Sequence, residues 1–336
     1  MKKKAYNTSA LVGLLALSCV TVAVSLVGQL ATPPAIETLY NSGSYSAAVK
    51  ALQPAIERTP NDSSLNYWLG RCYYEMRDFD HAITSWERAV ALDSSRSEYH
   101  DWLGRAYGRK ADQDSHTKMA SALALARKTH REFETAVQLN ARNIQAQRDL
   151  IDFMASAPRD LGGGEENAMN QIRVLSAIDS QEGTLALADF YATRKKFDQA
   201  GEQYQKILNS PPNRIDADFE AADYYRDRGD GEHMAQALEA AIKVAPSDRR
   251  FNYYRGVALV LENKDSETAE KNLRTYIDTV PENSELPSHS SAYEYLGKLC
   301  ENGGRRDAAV EQYKAALALD PQNKASREAL KRLEKR

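Results

Sequence analysis

The residue types that do chemistry are present in this chain, but not at the spacings chemistry needs. Histidines stand at 81, 100, 116, 130, 233 and 289. A zinc site would set two of them in an H-E-x-x-H helix or combine them with cysteines at short intervals, and neither pattern occurs. His116 and His130 would approach each other only if the segment between them folds as a helical hairpin. The run Gly162 to Gly164 would cradle a phosphate if its amides faced no anions and a Gly-Lys-Ser/Thr triplet were present. Glu165 and Glu166 follow it instead, no such triplet exists, and the run reads as a flexible turn. No Ser/His/Asp order and no paired-carboxylate site stands out, because acids and histidines are scattered throughout. The expectation is a protein that is not an enzyme, with no cofactor and no metal.

Charge and composition narrow the remaining classes. The 336 residues carry 44 basic against 47 acidic side chains, a net charge of -3, whereas a general nucleic-acid binder shows a basic excess. With 42% hydrophobic and 27% charged residues, the chain is too apolar for disorder and long enough for a large core. Tyrosine outnumbers phenylalanine 18 to 7, which suits surfaces that are half buried and half wet, as on a binding protein.

The first thirty residues differ in kind. Lys2, Lys3 and Lys4 precede an uncharged run from Ala10 to Gly28, a length at which signal peptides and membrane spans overlap. Either reading leaves the lysines in the cytoplasm and sends the rest across. Residues 1–30 are therefore expected to be a signal peptide or a membrane anchor, and the repeat region to lie in the cell envelope, periplasmic or anchored to the inner membrane. Thr21-Val22-Ala23 and Leu26-Val27-Gly28 offer small residues for cleavage, and Ala16 to Cys19 partly matches a lipoprotein box.

Beyond that segment the chain repeats with a period of about 34 residues. Leu69, Gly70, Tyr73, Ala82, Trp86 and Ala89 recur as Leu187, Ala188, Tyr191, Ala200, Tyr204 and Ile207, and again as Leu296, Gly297, Cys300, Ala309, Tyr313 and Ala316. The spacings i, i+1, i+4 and then i, i+4, i+7 are the stripes of two amphipathic helices. Between them lie short turns, "RDFD" at 77–80, "KKFD" at 195–198 and "GSYS" at 43–46, in which Asp80, Asp198 and Ser46 are expected to cap the second helix. Prolines at 60, 212, 246, 281 and 321 end the units. Gly70, Gly104, Gly256 and Gly297, with Ala48, Ala82, Ala200, Ala269 and Ala309 on the second helices, should mark the closest helix approach.

This pattern resembles the tetratricopeptide repeat family, and within it exported bacterial members of undefined activity. The resemblance implies an all-α, right-handed superhelical solenoid of about eight helix-turn-helix repeats over residues 31–323. A capping helix over 324–336 should bury Ala325, Ala329, Leu330 and Leu333. The first repeat lacks Leu-Gly, the sixth has Met234 for alanine and the seventh Arg255 for leucine. Cys72 and Cys300, six repeats apart, should not pair, since repeats contact only their neighbours.

The family's groove positions, carried onto this chain, are Tyr67, Arg71, Tyr74, Asp101, Arg105, Arg148, Asp152, Asp189, Phe219, Asp223, Arg226 and Tyr253. They imply a non-enzymatic scaffold that holds a protein or extended peptide on a concave face, with no nucleic acid as partner and a membrane contact only through an uncleaved N-terminal segment. Arg71, Arg105 and Arg148 would form a ladder for carboxylates or an acidic peptide, or else pair with acids such as Asp101 and Asp152. The third unit carries about 13 extra residues after "WLGRAYG", and the fourth about five around "APRDLGGGEEN". Both fall between the two helices of their units and should project from one edge. They are either tolerated loops or the docking site of an envelope-assembly or cell-wall-associated factor.

Overall fold

A computed structural model describes residues 33–210 and 214–334; the expected signal or anchor lies outside the described residues. The chain divides between Ser95 and Arg96 into two compact units. The first holds α1 (Pro33–Asn41) paired with α2 (Tyr45–Arg58), and α3 (Ser63–Glu75) paired with α4 (Phe79–Leu92). The second holds α5 (Ser97–Asp114) with α6 (Met119–Leu139), α7 (Ile144–Ser156) with α8 (Glu165–Ile178), and α9 (Ser180–Thr193) with α10 (Phe197–Leu208). It continues with α11 (Ile215–Arg228) and α12 (Gly231–Val244), α13 (Arg250–Leu261) and α14 (Ser266–Thr279), α15 (His289–Asn302) and α16 (Arg306–Leu319), and ends in α17 (Lys324–Glu334). Among the described residues the protein is an all-α repeat solenoid without strands. None of its described helices is long and apolar enough to cross a membrane.

Four of the pairs close where the first helix has a glycine and the second a large side chain. A Cβ added to Gly70 would come within 2.6 Å of the Trp86 ring, and at Gly104, Gly256 and Gly297 the same distance separates it from Phe133, Leu273 and Tyr313. Trp86, Leu273 and Tyr313 are buried in consequence, and Met234 fills the alanine position of its own pair without exposure. Arg255 is exposed and lies over the Phe251 ring, so the leucine position of that unit is given up to solvent.

The turns inside the pairs are more uniform than the sequence suggests. Six of them place one residue in the left-handed region: Gly43, Arg77, Lys195, Gly229, Asn263 and Gly304. In each the next amide bonds back five residues, as in Ser44 to Leu39, Asp78 to Tyr73 and Arg305 to Cys300, the Schellman closure of a helix end. In five of them the following residue starts the second helix; after Lys264, Asp265, itself at φ 35°, intervenes as the cap of α14. The caps are therefore not Asp80, Asp198 and Ser46, which fall in the first turn, but the positions two earlier: Asp78, Lys196 and Ser44. Asp78 accepts from the His81 amide, while Lys196 and Ser44 make no side-chain cap. Early acids remain favourable there because they face the positive end of the helix dipole.

Two pairs lack this turn, and they are the two with insertions. The extra residues of the third lengthen both helices, to 18 and 21 residues. Those of the fourth form a 3-10 turn, Arg159–Leu161, which buries Leu161. Gly162, at φ 90°, lies so close to His130 of α6 that a Cβ would meet its ring at 2.3 Å, and one on Gly163 would reach the Ala157 carbonyl oxygen at 1.9 Å. The triple glycine is thus a tightly packed turn rather than a flexible one, and it sets the two insertions against each other. At the C-terminus, α17 buries Ser326, Ala329 and Leu333, with Leu330 half-buried. Ala325 is exposed, because Asn323 caps the Ser326 amide and turns the stripe by one residue. Cys72 and Cys300 are free and buried.

The glycine contacts make a paired prediction. Gly297→Ala should lower stability by about 1 to 3 kcal/mol through overpacking against Tyr313. Gly108→Ala, where the nearest atom lies 3.6 Å from the new Cβ, should raise it by about 1 kcal/mol through helix propensity. Urea unfolding followed by circular dichroism reads both.

Candidate functional site

The histidines are absorbed by packing. His81 and His233 each bond to the aspartate that caps their helix, Asp78 and Asp230, at 2.7 Å, and stack on Tyr73 and Tyr225. His100 bonds to Glu132, His130 stacks on Phe153, and His289 bonds to the Val280 carbonyl oxygen. His116 is exposed in the turn before α6, whereas His130 lies about 16 Å along that helix at 1.5 Å per residue. Among the described residues no group of three or more His, Cys, Asp or Glu is placed to hold a metal ion.

In the first unit the three expected groove residues form a packed network on α3. Arg71 donates to the hydroxyls of Tyr67 at 3.1 Å and Tyr40 at 2.7 Å, and its guanidinium lies over the Tyr40 ring at 4.7 Å. Tyr40 donates in turn to Glu75 at 2.7 Å. Tyr67 is buried, and Tyr74 meets Phe79 edge-on and leans on Trp86. Arg71 is thereby held inside its own unit.

In the second unit the first helices carry a continuous set of ion pairs. Arg105 lies over the Trp102 ring at 4.5 Å and reaches Asp149 at 2.5 Å and Asp101 at 3.4 Å. Arg148 grips Glu220 with two nitrogens, at 2.7 and 2.5 Å, and Asp189 at 2.9 Å. Asp189 also accepts from the Tyr204 hydroxyl. Arg226 pairs with Asp223 and Asp227 and reaches the Tyr253 hydroxyl at 3.3 Å, while Tyr254 donates to Asp223 at 3.0 Å. Phe219 and Tyr253 are buried; Phe219 stacks on Tyr254, and the Tyr253 and Ser291 hydroxyls are hydrogen-bonded.

Arg105 and Arg148 are therefore neutralised, as one branch of the sequence reading expected, although with different acids. Asp101 is a lesser partner of Arg105, and Asp152 has neither a hydrogen bond nor an ion pair among the described residues. The acids that do the pairing, Asp149, Glu182 and Glu220, were not singled out in the sequence, nor were Tyr224 and Arg250, and Tyr204 was read only as a packing position of the repeat. A signal for some of them was there: Asp216, Glu220, Asp223 and Asp227 recur at i, i+4, i+7 and i+11, one face of α11.

Two depressions open along this face. One, of about 750 Å³, is lined by Asp152, Asp189, Tyr204, Glu220, Tyr224 and Asp227 among others. The second, of about 820 Å³, shares Glu220 and Asp223 with the first and adds Arg105, Arg148, Glu182 and Arg250. The packing of acids raises several carboxyls. Burial, and then Asp149, push Asp101 up to about 8 against the pull of Arg105. Desolvation in the groove, and then Asp189, push Asp152 up to about 7. Burial also raises Glu220 and Asp223 despite their arginines. Arg148 loses solvation, yet the hydrogen bonds and charge of Glu220 hold it above its ordinary value.

Eight successive helix pairs among the described residues, four of them closed by a glycine against a large side chain, with the polar chemistry gathered on the first helices, define a repeat protein. The chain matches the tetratricopeptide repeat family over residues 35–97, 219–284 and 260–324, half of its length, and it belongs to that family. No curated protein matches it in sequence. Its fold is similar to that of a thermophilic TPR protein from Thermus thermophilus, with 22% identity and TM-score 0.46 over 56% of this chain and 94% of that one. A tetratricopeptide repeat protein from Parabacteroides merdae gives 16% and 0.47 over 81% and 98%. YrrB, described as a TPR protein with an unusual peptide-binding site, gives 17% and 0.35 over 64% and 99%.

The raised carboxyls make stability depend on pH. Asp101 holds its proton in the folded state up to about pH 8 but releases it near 4 when unfolded, so stability should fall as pH rises from 4 to 8 and level off above that. The share due to Asp101 should be on the order of a few kcal/mol, and Asp101→Asn should remove that share while the fall carried by Asp152 and its neighbours remains. Urea midpoints at pH 5, 7 and 9 for both proteins give the comparison.

Proposed function

We propose that the protein is a non-enzymatic interaction scaffold that holds a protein or an extended peptide against the first-helix face of its repeats. The observation that carries this reading is the pair of joined depressions on that face, walled by charged and aromatic side chains. Membership of a repeat family whose members generally act as scaffolds supports it. The histidines support it too, since five of the six are spent on caps, stacks and ion pairs. We further propose that the repeats lie in the cell envelope, outside the cytoplasm, attached to the inner membrane or released from it; the three lysines followed by the uncharged run Ala10 to Gly28 support this.

A second reading has its own observation. The α5–α6 hairpin leaves Met119 and Leu123 exposed at 62% and 38%, and the inserted turn of the fourth pair packs on the same hairpin. Docking of an envelope-assembly or cell-wall-associated partner would use this edge instead of the groove.

A photo-cross-linking residue placed in turn at Thr193, Lys206 and Gln113 in intact cells separates the two. Thr193 lines the groove, whereas Lys206 and Gln113 are exposed on a second helix and at the hairpin tip. The groove reading expects a discrete adduct from Thr193 and none from Lys206. An adduct from Gln113 alone favours the edge, and no adduct from any position overturns the scaffold reading.

A further inference from the structure

Successive first helices of the second unit touch where α5 meets α7, α7 meets α9, α11 meets α13 and α13 meets α15. Between α9 and α11 the contact is at most marginal, and the 750 Å³ depression occupies this parting. Arg148, which lines the adjoining depression, reaches from α7 to Glu220 at its edge. On one side the opening is walled by Tyr204 and Tyr224, stacked with ring centres 4.6 Å apart.

The charges around the opening do not balance. Its lining carries Asp152, Asp189, Glu220, Asp223 and Asp227. Arg148 serves Asp189 and Glu220, and Arg226 serves Asp223 and Asp227. Arg228, the cation on the rim, is drawn over the Phe197 ring at 4.0 Å. Asp152 is left facing the opening with no hydrogen bond or ion pair among the described residues. Asp152 is exposed to this opening among like charges, and a bound cation would offset their mutual repulsion.

We propose that this opening is the specificity pocket of the groove and takes an arginine side chain of an extended, net-basic peptide, its guanidinium bonded to Asp152 and lying against the Tyr204–Tyr224 wall. The proposal rests on the scaffold reading and reverses the sign of the partner expected from the arginine ladder. Arginine fits better than lysine because its planar fork can meet a carboxylate with two N–H groups while its face lies on an aromatic ring. The peptide on either side has room in the adjoining 820 Å³ depression, where acids and arginines are mixed.

Binding would also depend on pH. Desolvation and the neighbouring Asp189 push Asp152 up to about 7, with Asp149 and Glu220 acting in the same direction and Arg148 against them. Asp223, Asp227, Arg228, Tyr204 and Tyr224 complete the charged and titratable groups around the opening. A cation favours the deprotonated form, so affinity should strengthen as pH rises from 6 to 8.

The test uses the full chain and fluorescein-labelled nine-residue Gly/Ser peptides with two central arginines, lysines, citrullines or glutamates, read by fluorescence anisotropy. The arginine peptide should bind at least tenfold tighter than the citrulline and glutamate peptides and about threefold tighter than the lysine peptide. Asp152→Asn, which removes like-charge repulsion and should fold at least as well, should weaken it at least fivefold. Asp307→Asn, an equal charge change on exposed α16, should leave it within twofold. Equal or tighter binding of the glutamate peptide, or an unchanged affinity in Asp152→Asn, overturns the proposal, and equal binding of the lysine peptide overturns the assignment to arginine. If the arginine peptide fails to bind while Thr193 still cross-links a partner, the pocket assignment falls and the scaffold reading stands; if both fail, both fall.

Discussion

The contact between a glycine on one helix and a large side chain on its partner governs the geometry of four of the helix pairs. Gly70 under Trp86, Gly104 under Phe133, Gly256 under Leu273 and Gly297 under Tyr313 each leave no room for a methyl group. Two helices brought that close must cross within a narrow range of angles, and each second helix then presents its far side to the next pair. The buried alanines at 82, 200, 269 and 309 extend the same close approach along the second helices.

Regular turns follow from regular pairs, and the exceptions are informative. Six turns close with a left-handed residue and an amide bonded five residues back. The third and fourth pairs depart from this together, because the lengthened α5–α6 hairpin needs a neighbour and the 3-10 turn with its triple glycine supplies one. His130, which reads in the sequence as a possible ligand, is the surface on which that turn is packed. A chemically capable residue can be consumed by packing, and most of the histidines here have been.

The groove shows a different kind of economy. Arginines that line up along first helices read as a ladder for anions only while the acids of the next helices are left out of account. Arg148 reaches from α7 to α9 and α11, and its two best partners lie 41 and 72 residues away in the chain. Once these pairs form, the surplus is acidic, and it collects where two first helices draw apart.

The sequence by itself determined the helical repeat. Periodicity, Leu-Gly pairs and turn prolines are local signals, and each repeat is built mainly from contacts within about 34 residues. It also contained the acidic stripe of α11, as a spacing, though not its meaning. Local reading failed by two residues at the helix caps, because the aromatic of "RDFD" and "KKFD" opens the helix rather than preceding it. It missed the charge of the groove more completely. Whether Arg105 and Arg148 face a partner or are already satisfied depends on distances between helices that only the stacked fold fixes, since a guanidinium takes the carboxylates that packing brings within about 3 Å. The parting between α9 and α11, which leaves Asp152 without a partner, has no local signature, because it is the absence of a contact between segments that the sequence does not place side by side.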